Sequence, residues 1–468
     1  MASGLETIRV RFAPSPTGFM HIGNVRAALF NWIFARANNG KFIVRIENTD
    51  RERSKKEYEK DILDGLNWLG LNYDGLYLQS DRTEIYKTHL KKLIDENKAY
   101  YCFCSKEELD GERESRASAG LLQIYSGKCR ILTKDQGLKR AIDGEKFVIR
   151  FKNIDKKITF KDLVKGEVGF DTSLIGDTVI AKDLNNPLYN FAVVVDDYLM
   201  NITHIIRGED HISNTPKQIL LAEAFGFKTP KFAHLPLVLN ADRSKMSKRF
   251  LDVALKDYKE EGYLKDAIIN FLAFLGWHPK EDKEIMSLSD IVKEFTLERV
   301  QKSGAIFNTQ KLDWLNAHYI NSLSVKDFIS SAKPYLPANW ELTDKMAFSV
   351  RPRVKKMSEI KELAAFYFNL PEYSSEKLRW KGMALDKVAE NLKRAHEIIN
   401  KIDEGSFNKE KIEAELIENS KDIKKGEIFW PLRFALSGSE ASPTPFEMIE
   451  ALGKKQSLGR IELAISKI

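Results

Sequence analysis

The 468-residue sequence is poor in cysteine and has no long apolar run. Its three cysteines, Cys102, Cys104 and Cys129, are an odd number, which fits a disulfide framework badly and favours a reducing compartment. No apolar stretch approaches the roughly 20 residues that a membrane-spanning helix needs. Residues 1–6 show no basic region followed by an apolar run, the mark of a secretory leader. We therefore expect a cytoplasmic protein without a membrane span.

What the sequence does contain fits a globular protein of several domains. Hydrophobic residues make up 43% and charged residues 30%, the balance found in chains that bury sizeable cores. The length corresponds to roughly three domains. The net charge of +7 favours contact with a polyanion such as nucleic acid, although many basic proteins bind none.

A strand–helix–strand unit is predicted at the start of the chain. Residues 8–13 read as a strand that two prolines end, residues 22–37 as a helix, and residues 41–46 as the next strand. The sequence Asn38-Asn39-Gly40 marks the end of the helix, because Asn and Gly tolerate the left-handed conformation. Parallel strands joined by a helix indicate an α/β sheet, and ligands bind at the carboxyl ends of such strands. The loop 14–21 falls at that position.

The pattern changes between residues 90 and 188, where short strand-like runs predict an insertion into the first domain. Apolar runs at 191–195 and 202–207 predict buried strands after this insertion. The remainder reads as helical, and from about residue 326 no strong β signal occurs. There, Val354, Met357, Ile360, Leu363 and Tyr367 recur at helical spacing and predict an apolar helix face.

The segment His21-Ile22-Gly23-Asn24 lies where the predicted helix begins. A helix N-terminus offers unpaired N–H groups and a positive dipole end, which both suit a phosphate. Gly23 leaves the backbone open to a nucleotide, and His21 can donate a hydrogen bond to a phosphate oxygen. Taken alone, these four residues are better explained as an ordinary helix start with a capping polar group, because such tetrapeptides are common by chance.

The segment Lys245-Met246-Ser247-Lys248-Arg249 places three cations within five residues. Such a cluster can neutralise a triphosphate and stabilise the extra charge that develops around an α-phosphate in the transition state. The alternative is a solvated basic loop.

Together and in this order, the two segments resemble the paired ATP signatures of class I aminoacyl-tRNA synthetases. The wider resemblance is to the bacterial glutamyl-tRNA synthetases, and it covers essentially the whole chain. The further matching stretches are residues 13–18, 43–50, 189–197, 206–211, 275–277 and 430–438. The first signature of the class often ends in His, where this chain has Asn24, a departure common in the glutamyl branch. The Asn24 amide can still donate a hydrogen bond.

The resemblance implies a Rossmann-like α/β catalytic domain, interrupted by an acceptor-end-binding domain and followed by helical domains. The implied boundaries are 1–89 and 189–250 for the catalytic halves, 90–188 for the insertion, 251–325 for a helical stem-contact domain and 326–468 for an all-α anticodon-binding domain. The implied substrates are L-glutamate, ATP with Mg2+, and tRNA(Glu).

The same resemblance assigns the residues of the site. The residues that it places at ATP are Pro14, Gly18, His21, Gly23, Asn24, Lys245, Met246, Ser247, Lys248 and Arg249. Of these, His21, Lys245 and Lys248 are implied to stabilise the transition state of adenylation.

The residues that the resemblance places at glutamate are Arg11, Ala13, Ser15, Glu47, Tyr189 and Arg207. Arg11 and Arg207 would hold the side-chain carboxylate, and Glu47 would hold the α-ammonium. The planar guanidinium fork suits two-point binding of a carboxylate. Without the family context, Arg11 or Glu47 taken singly reads as a surface ion pair.

The cysteines raise the question of a metal site. Cys102 and Cys104, with Cys129 more distant, have the pattern of a closed tetrahedral zinc site. In the zinc-bearing relatives the fourth ligand is a Tyr or a His, and here Ile131 stands where the His would be, which favours Tyr125. A structural Zn2+ is therefore predicted, and three reduced thiols packed in a small domain are the alternative.

Arg351 and Arg353 lie in a basic cluster that precedes an aromatic helix, and the resemblance implies that one arginine of this region reads the anticodon. A solvated cationic helix start is the alternative. Rival interpretations of the whole chain are a tRNA-modifying paralogue, a non-catalytic RNA-binding scaffold and a nucleotidyltransferase that shares only the first signature. Charging of tRNA(Gln) as well as tRNA(Glu) is left open, and a monomer is expected.

Overall fold

The computed structural model describes residues 7–244 and 253–468. The chain forms two compact units. One contains the residues up to 257 together with 269–308, and the other contains 258–268 together with 309–468. No helix among the described residues is both long and apolar enough to cross a membrane.

The first unit contains the described strands. They are β1 (Arg9–Phe12), β2 (Lys41–Ile46), β3 (Gly75–Leu78), β4 (Ala99–Cys102), β5 (Val148–Phe151), β6 (Lys157–Asp162), β7 (Gly166–Asp171), β8 (Val179–Asp183), β9 (Asn186–Pro187), β10 (His204–Gly208), β11 (Lys231–Leu235), β12 (Val238–Leu239) and β13 (Ala305–Ile306).

Helices connect and cover these strands. They are α1 (Ile22–Ala37), α2 (Lys56–Trp68), α3 (Thr83–Asp95), α4 (Lys106–Ser118), α5 (Lys134–Ile142), α6 (Tyr189–Leu199) and α7 (Thr215–Phe225). Two more, α8 (Leu255–Glu260) and α9 (Lys265–Ala273), each contain residues of both units, and α10 (Leu288–Glu294) lies in the first.

The predicted strand–helix–strand unit is confirmed. β1 and β2 pair in parallel with Arg11 opposite Ile43, and β3 continues the sheet in parallel. α1 begins at Ile22 and ends at Ala37, as its pattern predicts. The helix stops because Asn39 adopts a left-handed conformation, with φ of 51°. At the next position only glycine fits, since a Cβ on Gly40 would lie 2.5 Å from the Ile8 carbonyl oxygen.

A second sheet has the strand order β10-β11-β6-β7. β10 and β11 are parallel, and β6 joins β11 where Asp162 pairs with Phe232. The hairpin of β6 and β7 comes from the predicted insertion but extends this sheet, whereas β4, β5, β8 and β9 form a separate sheet. The Thr203 N–H donates to the Arg9 carbonyl at 2.8 Å, so β10 begins beside β1.

The prediction of a strand at 191–195 is wrong, because these residues lie in α6. The run Phe191 to Val195 is buried on all sides, so it lacks the polar stripe of a surface helix. A short, fully apolar run of this kind has the same composition in a buried strand and in a buried helix.

The second unit is all-helical within its described residues, as predicted. Its helices are α11 (Thr309–Asn321), α12 (Val325–Ala332), α13 (Asp344–Val350), α14 (Ile360–Phe368), α15 (Leu385–Lys401), α16 (Lys409–Glu418), α17 (Lys425–Ser437), α18 (Pro445–Leu452) and α19 (Lys454–Ser466). Val354, Met357, Ile360 and Tyr367 of the predicted apolar face are buried in its core. The regular helix is shorter than that pattern, because 3₁₀ turns precede Ile360.

Candidate active site

A cavity of about 510 Å³ opens at the carboxyl ends of β1, β2 and β10. It brings together ten residues that the sequence assigns to ATP or glutamate, namely Arg11, Ala13, Pro14, Ser15, His21, Gly23, Asn24, Glu47, Tyr189 and Arg207. Gly18 lies in the exposed loop between β1 and α1 but does not line the cavity. Lys245, Met246, Ser247, Lys248 and Arg249 lie outside the described residues.

His21 is the N-cap of α1, and its Nδ1 accepts a hydrogen bond from the Gly23 N–H at 3.1 Å. Acceptance at Nδ1 requires that the proton of a neutral ring be on Nε2, which is then the donor. The chain that follows the second signature, residues 245–249, passes beside the start of α1. Ala254 forms a β-bridge with His21, and the Leu255 N–H donates to the Met20 carbonyl at 2.7 Å.

A buried ion network lies beneath the β1 and β2 side of the cavity. Arg45 on β2 is fully buried, and its guanidinium lies 3.0 Å from Glu47 and 2.7 Å from Asp197. Asp197 on α6 also accepts two hydrogen bonds from Arg11, at 3.2 and 3.4 Å. Asp196 lies 3.7 Å from Arg45 and accepts from Gln79, Arg82 and Tyr86 on the other side. Arg11 and Glu47, which line the cavity, are thus joined through Arg45 and Asp197, which do not line it.

The charges of this network shift one another's pKa values. Burial opposes ionisation of Asp197, but Arg11 and Arg45 together hold its pKa below the ordinary value. Burial raises the pKa of Glu47, and the two guanidinium groups only partly offset that rise. A cationic ligand group beside Glu47 therefore favours its ionised form.

Arg207 lies on the opposite side of the cavity, on β10, and its hydrogen-bond acceptors among the described residues are neutral side chains. Its Nη1 donates to Gln218 Oε1 at 2.9 Å, its Nη2 to Thr215 Oγ1 at 2.8 Å and its Nε to His234 Nε2 at 3.2 Å. Burial lowers the pKa of Arg207, although nearby Tyr189 opposes that shift. The guanidinium retains its charge, so this side of the cavity is positively charged.

Tyr189 stands between the two sides. Its hydroxyl lies 3.2 Å from His211 Nδ1, and it interacts electrostatically with Glu47, Arg207 and Arg11. Burial raises the pKa of Tyr189, so the hydroxyl keeps its proton at neutral pH. It therefore offers both a donor and an acceptor to a polar ligand.

Arg26 is a cavity residue that the sequence analysis missed. It lies one turn into α1, its Nη1 donates to the Pro236 carbonyl at 2.6 Å, and its buried Nε and Nη2 have no hydrogen-bond partner within the part of the chain that the structure describes. Burial lowers its pKa to about 10, and Glu209 partly opposes this. Pro236 leads into β12 and then toward the second signature, so Arg26 ties α1 to that part of the chain.

The three cysteines and Tyr125 come together, as predicted for a metal site. The thiol sulfurs all lie within 4.8 Å of one another, and those of Cys104 and Cys129 are 3.6 Å apart. The Tyr125 hydroxyl oxygen lies 3.5 Å from the sulfurs of Cys102 and Cys104. Arg150 donates to the Cys102 sulfur at 3.3 Å and lies over the Tyr125 ring. The donor set is compatible with zinc.

Arg351 and Arg353 lie together in one 3₁₀ turn of the second unit. Arg351 donates to the Leu323 carbonyl at 2.6 Å, and Arg353 donates to the Ser349 carbonyl at 2.7 Å. Both are half-buried, so part of each side chain stabilises the turn.

Comparison with known proteins identifies the family of the two parts of the chain. A family model described as tRNA synthetases class I (E and Q), catalytic domain, matches residues 7–314, and one described as anticodon binding domain matches residues 327–465. The chain is 44% identical over 475 residues to glutamate–tRNA ligase 2 of Thermoanaerobacter pseudethanolicus, with 99% of each chain covered. It is 42% identical over 480 residues to the glutamate–tRNA ligase of Desulforamulus reducens, with 98% of this chain and 100% of that chain covered.

A solved structure has the same fold. The crystal structure of a glutamate tRNA ligase from Elizabethkingia meningosepticum, in complex with its amino acid, matches with a TM-score of 0.89 at 33% identity and covers 98% of this chain and 99% of that chain. The predicted α/β fold with a helical C-terminal region is confirmed, as is the predicted family. The chain therefore belongs to the class I aminoacyl-tRNA synthetases, among the glutamate–tRNA ligases.

Proposed function

We propose that this chain ligates L-glutamate to tRNA(Glu) at the expense of ATP, and that the cavity at the carboxyl ends of β1, β2 and β10 holds both small substrates. The observation that carries the proposal is the convergence of Arg11, Glu47 and Arg207 in one cavity that adjoins the N-terminus of α1. Two cations and one anion match the charges of an amino acid with an acidic side chain.

Glutamate recognition follows from the charges of the cavity. Arg207 and Arg11 receive the side-chain carboxylate, and Glu47 receives the α-ammonium, with Ala13, Ser15 and Tyr189 completing the pocket. A glutamine side chain carries no charge, so it would leave Arg207 without a counter-ion in a buried site. That cost disfavours the amide relative to the carboxylate.

Adenylation takes place where the cavity meets α1. The phosphates of ATP lie against His21, Gly23 and Asn24, near Pro14 and Gly18, and Mg2+ bound to them would offset part of their charge. The α-carboxylate of glutamate attacks the α-phosphorus, which forms the acyl–phosphate bond and expels pyrophosphate. His21 donates a hydrogen bond from Nε2 to the charge that develops.

Lys245 and Lys248 complete the electrostatic stabilisation of adenylation in this proposal, together with Met246, Ser247 and Arg249. Support comes from the chain on either side of that segment. β12 lines the cavity before it, and Ala254 pairs with His21 after it. Replacing Lys248 with Ala should slow pyrophosphate exchange by about two orders of magnitude, and near-normal exchange would refute its assignment.

In the second step the terminal ribose hydroxyl of tRNA attacks the carbonyl carbon of the adenylate. The ester bond forms, AMP leaves, and the hydroxyl proton passes to the leaving phosphate or to solvent. The chain supplies no dedicated general base in this proposal, because holding the two reactants together lowers the barrier.

A structural Zn2+ fits the cysteine cluster. Zinc–sulfur bonds of about 2.3 Å at tetrahedral angles place sulfurs about 3.8 Å apart, and an oxygen bound at about 2.0 Å lies about 3.5 Å from them. The separations in the protein are 3.6 Å between the sulfurs of Cys104 and Cys129, and 3.5 Å from the Tyr125 oxygen to the sulfurs of Cys102 and Cys104. Arg150 would balance part of the thiolate charge. Metal analysis should find about one zinc per chain, lost in C102A, and protein purified without chelator that holds none would contradict the site.

The remaining assignments extend the proposal to tRNA and the cell. Residues 90–188 bind the acceptor end, 251–325 contact the stem, and 326–468 bind the anticodon through Arg351 or Arg353. A basic arginine pair beside aromatic residues supports this role, since arginine meets phosphates and stacks on unpaired bases. The enzyme acts as a cytoplasmic monomer.

The decisive experiment is the charging of purified tRNA(Glu) and tRNA(Gln) with labelled glutamate. The proposal expects ATP-dependent charging of tRNA(Glu), and pyrophosphate exchange with glutamate once tRNA is present. Charging of both tRNAs would identify a non-discriminating enzyme. A non-catalytic scaffold would give neither charging nor exchange, and that result would overturn the proposal.

A further inference from the structure

Arg207 is held from behind by side chains that do not line the cavity. Gln218, Thr215 and His234 accept from its three nitrogens at 2.8 to 3.2 Å. Three of the five N–H groups of the guanidinium are therefore engaged by the protein. The remaining N–H groups are those available to Tyr189 and to a ligand in the cavity that Arg207 lines.

His234 connects Arg207 to a buried carboxylate. The ring is fully buried on β11, directly opposite Arg207 in the register of the parallel strands. Its Nδ1 lies 2.6 Å from Asp162 Oδ2, and its Nε2 lies 3.2 Å from Arg207 Nε. An ionised carboxylate only accepts and a guanidinium only donates. A neutral His234 with its proton on Nδ1 is therefore the form that satisfies both neighbours.

Asp162 is fixed at the end of β6. Its carboxylate accepts from the backbone N–H groups of Val164 at 2.9 Å, Lys165 at 2.8 Å and His234 at 3.1 Å, besides the His234 ring. Burial opposes ionisation of Asp162, but these hydrogen bonds stabilise the ionised form more strongly. The pKa of Asp162 therefore lies below its ordinary value. The carboxylate thus stays an acceptor across the neutral range.

The turn after Asp162 also reaches the end of β10. Lys165 forms an ion pair with Glu209, the residue that follows β10, and Glu209 accepts from the Leu237 N–H at 3.1 Å. The hairpin of β6 and β7 is therefore attached at two points to the strands whose ends form the cavity.

We propose that Asp162 and His234 are positioning residues that hold Arg207 in the orientation that receives the substrate's side-chain carboxylate. The proposal rests on the assignment of Arg207 to glutamate binding. Asp162, His234 and Arg207 form a relay that links the hairpin of β6 and β7 to the amino-acid pocket. The relay makes the pocket select a carboxylate ligand over an amide, because a guanidinium that could rotate would adapt to either.

The neutral acceptors have a physical advantage over a carboxylate in this place. A carboxylate bound directly to Arg207 would neutralise it and compete with the substrate. The neutral imidazole orients the guanidinium while leaving its charge for the ligand, and Asp162 orients the imidazole from one residue further away.

The test compares two Asp→Asn variants in the intact enzyme. D162N removes the acceptor that orients His234. D74N is the control, because Asp74 likewise accepts from a backbone N–H, that of Phe42, and from charged side chains, Arg36 and Lys41, but at the amino end of β2, away from the cavity. Charging is measured with glutamate and with glutamine. D162N should raise the KM for glutamate about 10- to 100-fold and reduce the glutamate-to-glutamine ratio of kcat/KM, while D74N leaves both within about twofold.

A spectroscopic measurement separates this inference from the proposed function. The protein is labelled with 15N-histidine, and the NMR signal of His234 is assigned as the one that H234Q lacks. In wild type this signal should report a neutral ring protonated at Nδ1. D162N should shift it. The charged or titratable groups around the ring are Asp162, Arg207, Lys165 and His211.

Each outcome decides the inference. An unchanged KM and ratio in D162N, equal losses in D162N and D74N, or a His234 proton on Nε2 would overturn it. H234Q can still accept from Arg207 and donate to Asp162, so it should retain more discrimination than H234L. Failure of the wild type to charge glutamate would instead overturn the proposed function, while the histidine signal would still test the relay.

Discussion

The two sides of the amino-acid pocket hold their arginines by different means. On the β1 and β2 side, Arg11 is paired with Asp197, and the buried Arg45 links that carboxylate to Glu47. On the β10 and β11 side, the hydrogen-bond acceptors of Arg207 within residues 7–244 and 253–468 are neutral. One side is a balanced set of buried charges, and the other presents one buried charge held by neutral acceptors.

The difference indicates what each side contributes to recognition. A balanced network fixes geometry, and breaking it exposes charges that burial makes costly. An unbalanced arginine attracts an anionic ligand, because the ligand supplies the missing counter-ion. Arg11 therefore acts chiefly as an oriented donor in this proposal, whereas Arg207 provides most of the selectivity for a carboxylate.

The largest effect is expected from breaking the balanced side. R45M would leave Glu47 and Asp197 buried without their shared cation, and should lower the free energy of unfolding by about 3–5 kcal/mol. R36M is the matched control, because the Arg36–Asp74 pair is partly exposed and should contribute about 1 kcal/mol or less. Chemical denaturation of both variants measures the difference, and equal losses would contradict the distinction between the two kinds of pair.

The unbalanced side should respond in catalysis rather than in stability. R207M should lower kcat/KM for glutamate about 1,000-fold, since the loss of a buried charge pair costs about 4 kcal/mol. R207K keeps the charge but loses the planar fork, and should recover only part of the activity. Charging kinetics with unfolding curves on the same preparations test this, and R207K with wild-type kinetics would show that charge alone suffices.

The sequence predicted the elements whose signals are local. α1 begins and ends at the predicted residues because His21 caps it and Asn39 turns the chain in a left-handed conformation. The strand predicted at 191–195 is a helix, because local composition does not distinguish the two when every side chain is buried. Tertiary packing decides such a segment.

Only the residues assigned to direct contact with the ligand could be predicted from the sequence. Arg11, Glu47, Tyr189 and Arg207 follow from the family resemblance, and they line one cavity. The residues behind them were missed, because their partners are distant in sequence. Arg45 lies 152 positions from Asp197, and Asp162 lies 72 positions from His234. A lone histidine in a strand carries no signal of its partner until the strands are paired.

Lowering the pH below neutral should reduce the stability contributed by His234 on the β10 and β11 side. Burial lowers the pKa of His234, against its hydrogen bond to Asp162, so folding favours the neutral ring. The stability that this provides is complete above the unfolded pKa of about 6.5 and is lost as pH falls through the lower folded value, by at most about 1.4 kcal/mol per pH unit. Arg207, Lys165 and His211 also face or approach the ring, and the pKa of His211 is shifted in the same direction.

Unfolding free energies of wild type and H234Q between pH 7.5 and 5.5 check this prediction. The difference between the two proteins isolates His234 from His211, because both proteins retain His211. Wild type should lose more stability than H234Q over this range, and its KM for glutamate should rise at the lower pH. Parallel pH curves for the two proteins would contradict the assignment.

The smallest effect is expected at Tyr189, where the two sides meet. Y189F removes a hydroxyl that contacts His211 and interacts with both Arg207 and Glu47, and should raise the KM for glutamate about 3- to 10-fold, the worth of one neutral hydrogen bond. Combining Y189F with R207M shows which side the hydroxyl serves. If Tyr189 acts through Arg207, the double variant should be little worse than R207M alone, whereas additive losses would assign the hydroxyl to the balanced side or to the ligand itself.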